Sequence, residues 1–72
     1  MSSGSSKCPE RAAFVRKQRE ERAWTQEQLA IVADVTLRTI QRVEQNGAAS
    51  PETLMAVAGA FEMEVKQLSA AA

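Results

Sequence analysis

A chain of 72 residues, of which 44% are apolar and 25% charged, has the composition of one small globular domain, and its size argues against a deep catalytic cleft. No apolar run approaches the roughly 20 residues needed to cross a bilayer, and MSSGSSKCPE lacks the apolar centre of a signal peptide, so we expect a cytoplasmic protein with no membrane partner. The formal net charge of zero argues weakly against nucleic acid, but residues 1–22 carry six basic against three acidic side chains, so one face can still be basic.

The first eight residues, MSSGSSKC, are rich in serine and predict a flexible N-terminal tail, with the folded domain over residues 9–70. Cys8 is expected to be an incidental surface thiol, because the chain has no second cysteine and no histidine to complete a disulfide, a zinc site or a Cys–His nucleophile. We therefore expect no enzyme, no cofactor and no metal site. Pro9 suits the first turn of a helix, which is expected over about Glu10 to Arg22.

The second helix is expected from Gln26 to Ala33. Thr25 followed by Gln28 has the spacing of a capping box. An apolar stripe follows, formed by Leu29, Ala30, Val32 and Ala33. The sequence DVT interrupts this pattern, because Asp34 tolerates a left-handed or turn conformation and Thr36 is a good N-cap for another helix. Two short helices that meet at a tight turn are therefore predicted.

The third helix is expected from Leu37 to Gln45 and should end at the NG dipeptide that follows, since both residue types tolerate positive φ. Ile40 and Val43 should face the core, with Leu37 as a further candidate. The outward side chains are then polar: Arg38, Thr39, Gln41, Arg42 and Gln45. This pattern meets the requirements of a helix-turn-helix, whose second helix fits the major groove of B-DNA.

Ser50 and Pro51 predict the cap and first residue of a fourth helix. Its expected buried face comprises Leu54, Met55, Val57, Ala58 and Phe61. A short fifth helix at about Val65 to Ser69 should bring Val65 and Leu68 onto the core, with Met55 and Met63 as gap fillers and Trp24 packed between the first two helices. No segment alternates as a strand would, so the predicted fold class is all-α, with five helices around one core.

The stretch VRKQREERAWTQEQLAIVADVTLRTIQRVEQNG, followed by SPETLMAVAGAFEMEVKQL, resembles the Cro/cI-type helix-turn-helix family, also called XRE-like or lambda-repressor-like, over nearly the whole ordered chain. Agreement in the order and spacing of five helices is more specific than one short motif. The resemblance implies a compact lambda-repressor-like domain that binds double-stranded DNA. At three turns where the family usually has glycine, this chain has Ala23, Asp34 and Glu62, so altered or strained turns are expected there.

The resemblance also implies roles for individual residues. The recognition helix, about residues 37–45, would enter the major groove, and the residues that contact DNA bases would be Leu37, Arg38, Thr39, Gln41 and Arg42. The residues that contact DNA phosphates would be Gln26, Thr25 and Thr36. Arg38 is the first candidate for base readout, because arginine donates two hydrogen bonds to guanine, whereas Leu37 either touches a thymine methyl or packs at the helix start. A partly buried ion pair of Arg19 and Glu44 would fix the angle of the third helix.

These features favour transcriptional regulation, and repression over activation. Relatives usually act as dimers on near-palindromic sites. The expected homodimer surface is the C-terminal part, Glu62 to Leu68, where Met63 and Val65 are explained equally well as exposed or as core. The alternative is a protein-interaction module with the same fold, such as an antitoxin or adaptor, which the neutral charge and Leu37 favour slightly. The chain can also be the DNA-binding piece of a longer regulator, and no small-molecule site is evident.

Overall fold

The computed structural model describes residues 8–70, with side chains through residue 68, so all of the predicted tail over residues 1–8 except Cys8 lies outside the described residues. Five helices and no strand occur in the described part, which confirms the all-α fold class. The helices are α1 (Pro9–Glu21), α2 (Gln26–Ala33), α3 (Leu37–Asn46), α4 (Pro51–Phe61) and α5 (Val65–Ala70). None of these helices has the length and hydrophobicity that a membrane crossing requires.

Each of the first four helices begins with a side-chain cap on the backbone N–H three residues further on, which satisfies one of the N–H groups that a helix start leaves unpaired. The caps are Cys8, Thr25, Thr36 and Ser50. At Thr25 the hydroxyl accepts from the Gln28 N–H at 3.0 Å, and the Gln28 side chain accepts from the Thr25 N–H at 2.7 Å. The predicted capping box and the predicted starts at Gln26, Leu37 and Pro51 are thereby confirmed.

Three helices end at a left-handed residue that is not glycine. Ala23, Asp34 and Glu62 have φ values of 57°, 61° and 59°. In each case the next N–H bonds a carbonyl five residues back, as in the 3.0 Å bond from Val35 to Ala30, which is the Schellman arrangement. The residues after these turns are apolar and pack on the core: Trp24, Val35 and Met63. The turns therefore keep the glycine-like conformation, at a cost of about 1–2 kcal/mol for a residue with a Cβ.

The core is formed by side chains from every helix, and its largest fully buried members are Val15, Leu29, Ile40, Val43, Val57 and Leu68. Two sequence-based assignments to the core are wrong. Val32 is 50% exposed and Met55 is 63% exposed, so Met55 is not a gap filler. Successive residues of a helix are rotated by about 100° around its axis. Both side chains therefore lie outside the buried face of their helix, although their sequence neighbours belong to it.

The prediction that Cys8 is a surface thiol is also wrong, because its side chain is buried. Its N–H donates to the carbonyl of Asn46, the last residue of α3, at 2.6 Å. Gly47 follows with φ of 79°, and a Cβ built there would lie 2.0 Å from the Cys8 carbonyl oxygen. Close packing of two backbone segments thus buries the thiol and ties the start of α1 to the end of α3.

Candidate functional site

Helices α2 and α3 meet at the turn of residues 34–36, and the outer face of α3 is polar. Arg38, Gln41 and Arg42 are exposed, whereas Leu37 and Thr39 are half-buried. The structure therefore brings the five predicted base-contacting residues together on the first two turns of one helix. The arginines and glutamines of this face line a shallow depression, formed by Arg38, Gln41, Arg42 and Gln45.

The outer face of α3 carries positive charge that no ion pair within the described residues neutralises. Glu44 is the acidic residue of α3, and it lies on the inner side with 2% of its surface exposed. Within residues 8–68, the ion pairs involve neither Arg38 nor Arg42. A chain with zero net charge thus presents two unneutralised guanidinium groups on one helix face.

Glu44 forms a two-point ion pair with Arg19 of α1. Arg19 Nε donates to Glu44 Oε2 at 2.6 Å and Nη2 donates to Oε1 at 3.1 Å. The Glu44 side chain is 1% exposed and that of Arg19 is 13% exposed. The hydrogen bond with Glu44 raises the pKa of Arg19 above its ordinary value, and this effect outweighs the opposite effect of burial. The pair joins α1 to α3 from the side opposite the exposed arginines.

Gln26, a predicted phosphate contact, also lies against this ion pair. Its Nε2 donates to Glu44 Oε1 at 3.1 Å. The other two predicted phosphate contacts, Thr25 and Thr36, are exposed and use their hydroxyls as helix caps. Thr25 and Gln26 are adjacent at the start of α2, while Thr36 precedes α3.

The sequence-based site did not include Arg16, which also contacts Glu44. Its Nη2 donates to the Glu44 carbonyl at 3.2 Å, and its Nε lies 3.7 Å from Glu44 Oε1. The signal in the sequence was the spacing, because Arg16 precedes Arg19 by three residues and so shares its face of α1.

The remaining arginines near α1 tie the fold together. Arg11 donates to the carbonyls of Gly47 at 2.9 Å and Leu68 at 3.4 Å. Arg22 donates to the Phe61 carbonyl at 2.9 Å and lies over the Phe61 ring at 4.8 Å. All four arginines of residues 8–22 therefore donate hydrogen bonds within the domain: Arg11, Arg16, Arg19 and Arg22.

Trp24 stacks on Phe61 of α4, with ring centroids 6.1 Å apart. Its half-buried indole packs against the core, as expected of a core residue rather than a platform for stacking bases. Among the described residues, no group of three or more acidic, cysteine or histidine side chains is placed to hold a metal ion.

A family model described as Helix-turn-helix matches residues 15–68. The match contains α2, α3 and α4 in full, together with most of α1 and the buried Leu68 of α5. No curated protein and no solved structure gives a significant match to this chain.

Proposed function

The chain belongs to the Cro/cI-type helix-turn-helix family of DNA-binding domains, and from this premise we propose that it is a cytoplasmic transcriptional repressor that reads duplex DNA with α3. The observation that carries the proposal is the outer face of α3, on which Arg38 and Arg42 are exposed and form no ion pair with any carboxylate of the described residues. A polyanion with acceptors in its grooves is the partner that such a face fits.

In the proposed complex, α3 lies in the major groove. Arg38 makes the main base contact, as two hydrogen bonds to a guanine, and Gln41 and Arg42 extend the contact along the same face. Thr39 lies between them, half-buried and bonded through its hydroxyl to Thr36 at 2.9 Å. Leu37, also half-buried, lies at the start of the helix and contacts a thymine methyl group in the proposed complex.

Phosphate contacts would set the position of α3 on the duplex. We assign them to Thr25 and Gln26 at the start of α2 and to Thr36 before α3. Unpaired backbone N–H groups at the start of α2 add donors to this set.

We further propose that two copies bind a near-palindromic site, with half-sites about 34 Å apart. The proposed contact is the C-terminal part of the domain, from Glu62 to Leu68. There Met63 and Val65 pack partly against the core and keep part of their surface exposed.

Selection from a randomised duplex pool, followed by a salt titration, tests the proposal. The wild-type protein should enrich a two-fold-symmetric site. Arg38→Ala should weaken binding to that site by about 1–3 kcal/mol, or 5- to 150-fold, and relax the preference at one base pair. Lys17→Ala, which removes an exposed cation from α1, serves as the matched control and should leave that preference unchanged. Failure to enrich any site, with weak binding that ignores the Arg38 change, would contradict the proposal.

A protein-interaction module is the second candidate, and one observation favours it. Exposed Ile31 and half-buried Leu37 line a shallow apolar depression with Ala30 and Val35. A protein partner seated there would bind with little salt dependence and would be weakened by the uncharged change Ile31→Ser. DNA binding through α3 would instead weaken steeply with salt and tolerate that change.

A further inference from the structure

The buried carboxylate of Glu44 serves two helices at once. Besides the ion pair with Arg19, its Oε1 accepts from Gln26 of α2 at 3.1 Å and lies 3.7 Å from the Nε of Arg16 of α1. Side chains that belong to different helices therefore flank one oxygen atom. The positions of Arg16 and Gln26 relative to each other are set by the same buried group.

Arg16 and Arg19 use their charges differently. Arg19 is 13% exposed and makes the 2.6 Å bond to Glu44, with Glu20 a further 3.9 Å contact. Arg16 is 54% exposed, its ion-pair contact is long, and its closest bond goes to the Glu44 carbonyl at 3.2 Å. The guanidinium of Arg16 is thus held in place at one edge while the rest of it faces solvent.

Gln26 is held in a similar way. One N–H of its amide is committed to Glu44 Oε1, which orients the amide and leaves a second N–H on the same nitrogen. The Nη1 group of Arg16 makes no hydrogen bond to any residue within the described range 8–68. A half-exposed cation and an oriented amide donor, each held within 3.7 Å of the same Glu44 oxygen, match an anion with two acceptor oxygens.

We propose that Arg16 and Gln26 together bind one phosphate of the DNA backbone and that Glu44 positions them. The inference rests on the proposed DNA binding and adds to it a contact from α1, outside the two helices of the helix-turn-helix. Because Glu44 belongs to α3, the helix proposed to contact the bases also positions Arg16 and Gln26, the side chains proposed to bind the DNA backbone. Arg19 completes the positioning by compensating the charge of Glu44.

The test measures affinity against salt for the full chain with Arg16→Ala and Lys17→Ala, on the selected duplex and on an unrelated one. Loss of the Arg16 contact should lower the slope of log K against log salt by about 0.9 for each bound copy, and so by about 1.8 for two copies on one site, and should weaken both duplexes by a similar factor. Lys17→Ala, which removes an exposed cation of α1 that forms no ion pair within the described residues, should leave the slope unchanged. Thermal unfolding of each variant shows whether the domain remains folded.

A second measurement separates a direct contact from a structural effect. Duplexes that carry one neutral methylphosphonate at successive positions should show one position in each half-site where wild-type binding falls and Arg16→Ala binding does not fall further. Additive losses at every position, or an unchanged salt slope, would overturn the inference while the proposed function stands. If the wild-type protein binds no duplex at all, the proposed function fails first, and the phosphate site fails with it.

Discussion

Two sets of arginines in this domain differ in what they contact. Arg11, Arg19 and Arg22, the anchoring arginines, each donate to a carboxylate or a backbone carbonyl of another segment. Arg38 and Arg42, the outer arginines, form neither a side-chain hydrogen bond nor an ion pair within the described residues. Total charge therefore says little about what this chain binds. The informative quantity is which cations the fold leaves available.

Breaking the pair of Arg19 and Glu44 should give the largest effect. Glu44→Ala leaves the 13% exposed guanidinium of Arg19 without its partner, so the free energy of unfolding should fall by about 3–5 kcal/mol. Urea unfolding followed by circular dichroism measures the change. Arg38→Ala, from the outer set, is the control and should stay within about 0.5 kcal/mol of wild type. Equal losses in the free energy of unfolding for the two variants would contradict the division into anchoring and outer arginines.

Changing Gly47 should disturb the place where α1 meets the end of α3. Gly47→Ala adds a Cβ that would lie 2.0 Å from the Cys8 carbonyl oxygen, at φ of 79°. Backbone strain and overpacking together should cost about 2 kcal/mol or more. Gly59→Ala is the matched control. A Cβ there meets nothing within 4 Å, and alanine at this exposed helical position should raise the free energy of unfolding by about 0.5–1 kcal/mol. Opposite signs in chemical denaturation are expected, and a tolerated Gly47→Ala would refute this account.

Relieving the turn after α1 should give a smaller effect of the opposite sign. Ala23→Gly places glycine at φ of 57° and should raise the free energy of unfolding by about 1 kcal/mol. Ala13→Gly, at an exposed position inside α1, should lower it by about 0.5–1 kcal/mol. Melting temperatures of the two variants should therefore move apart. Arginine substitutions can also be made in the stabilised Ala23→Gly protein. A loss of DNA binding there cannot be ascribed to unfolding, so the two sets of arginines are compared more cleanly.

Local chemistry predicted most of the fold. Thr25, Ser50 and Pro51 mark helix starts through side-chain caps and a fixed φ, which depend only on near neighbours in sequence. Val32 and Met55 were misassigned because an apolar residue type does not reveal the angle between its side chain and the centre of the buried helix face. The burial of Cys8 depends on Gly47, almost forty residues away, and no local pattern contains that contact.

In the candidate site, too, some features follow from the local sequence and others depend on how the helices pack together. The polar face of α3 follows from helical periodicity, which places Arg38 and Arg42 one turn apart. The contact of Arg16 with Glu44 joins residues 28 positions apart, so it depends on how α1 docks against α3. The structure supplied that contact, and with it the anchoring of Gln26.

The buried thiol of Cys8 can be used to measure local opening of the domain. The chain has one sulfhydryl, shielded at the point where the N–H of the same residue bonds the last residue of α3. A thiol-reactive dye can reach it only when that junction opens, so the labelling rate counts local opening events rather than surface exposure. If bound DNA holds α3 in place, it slows the labelling, and the labelling rate of this one sulfur then measures how firmly the start of α1 is held against the end of α3.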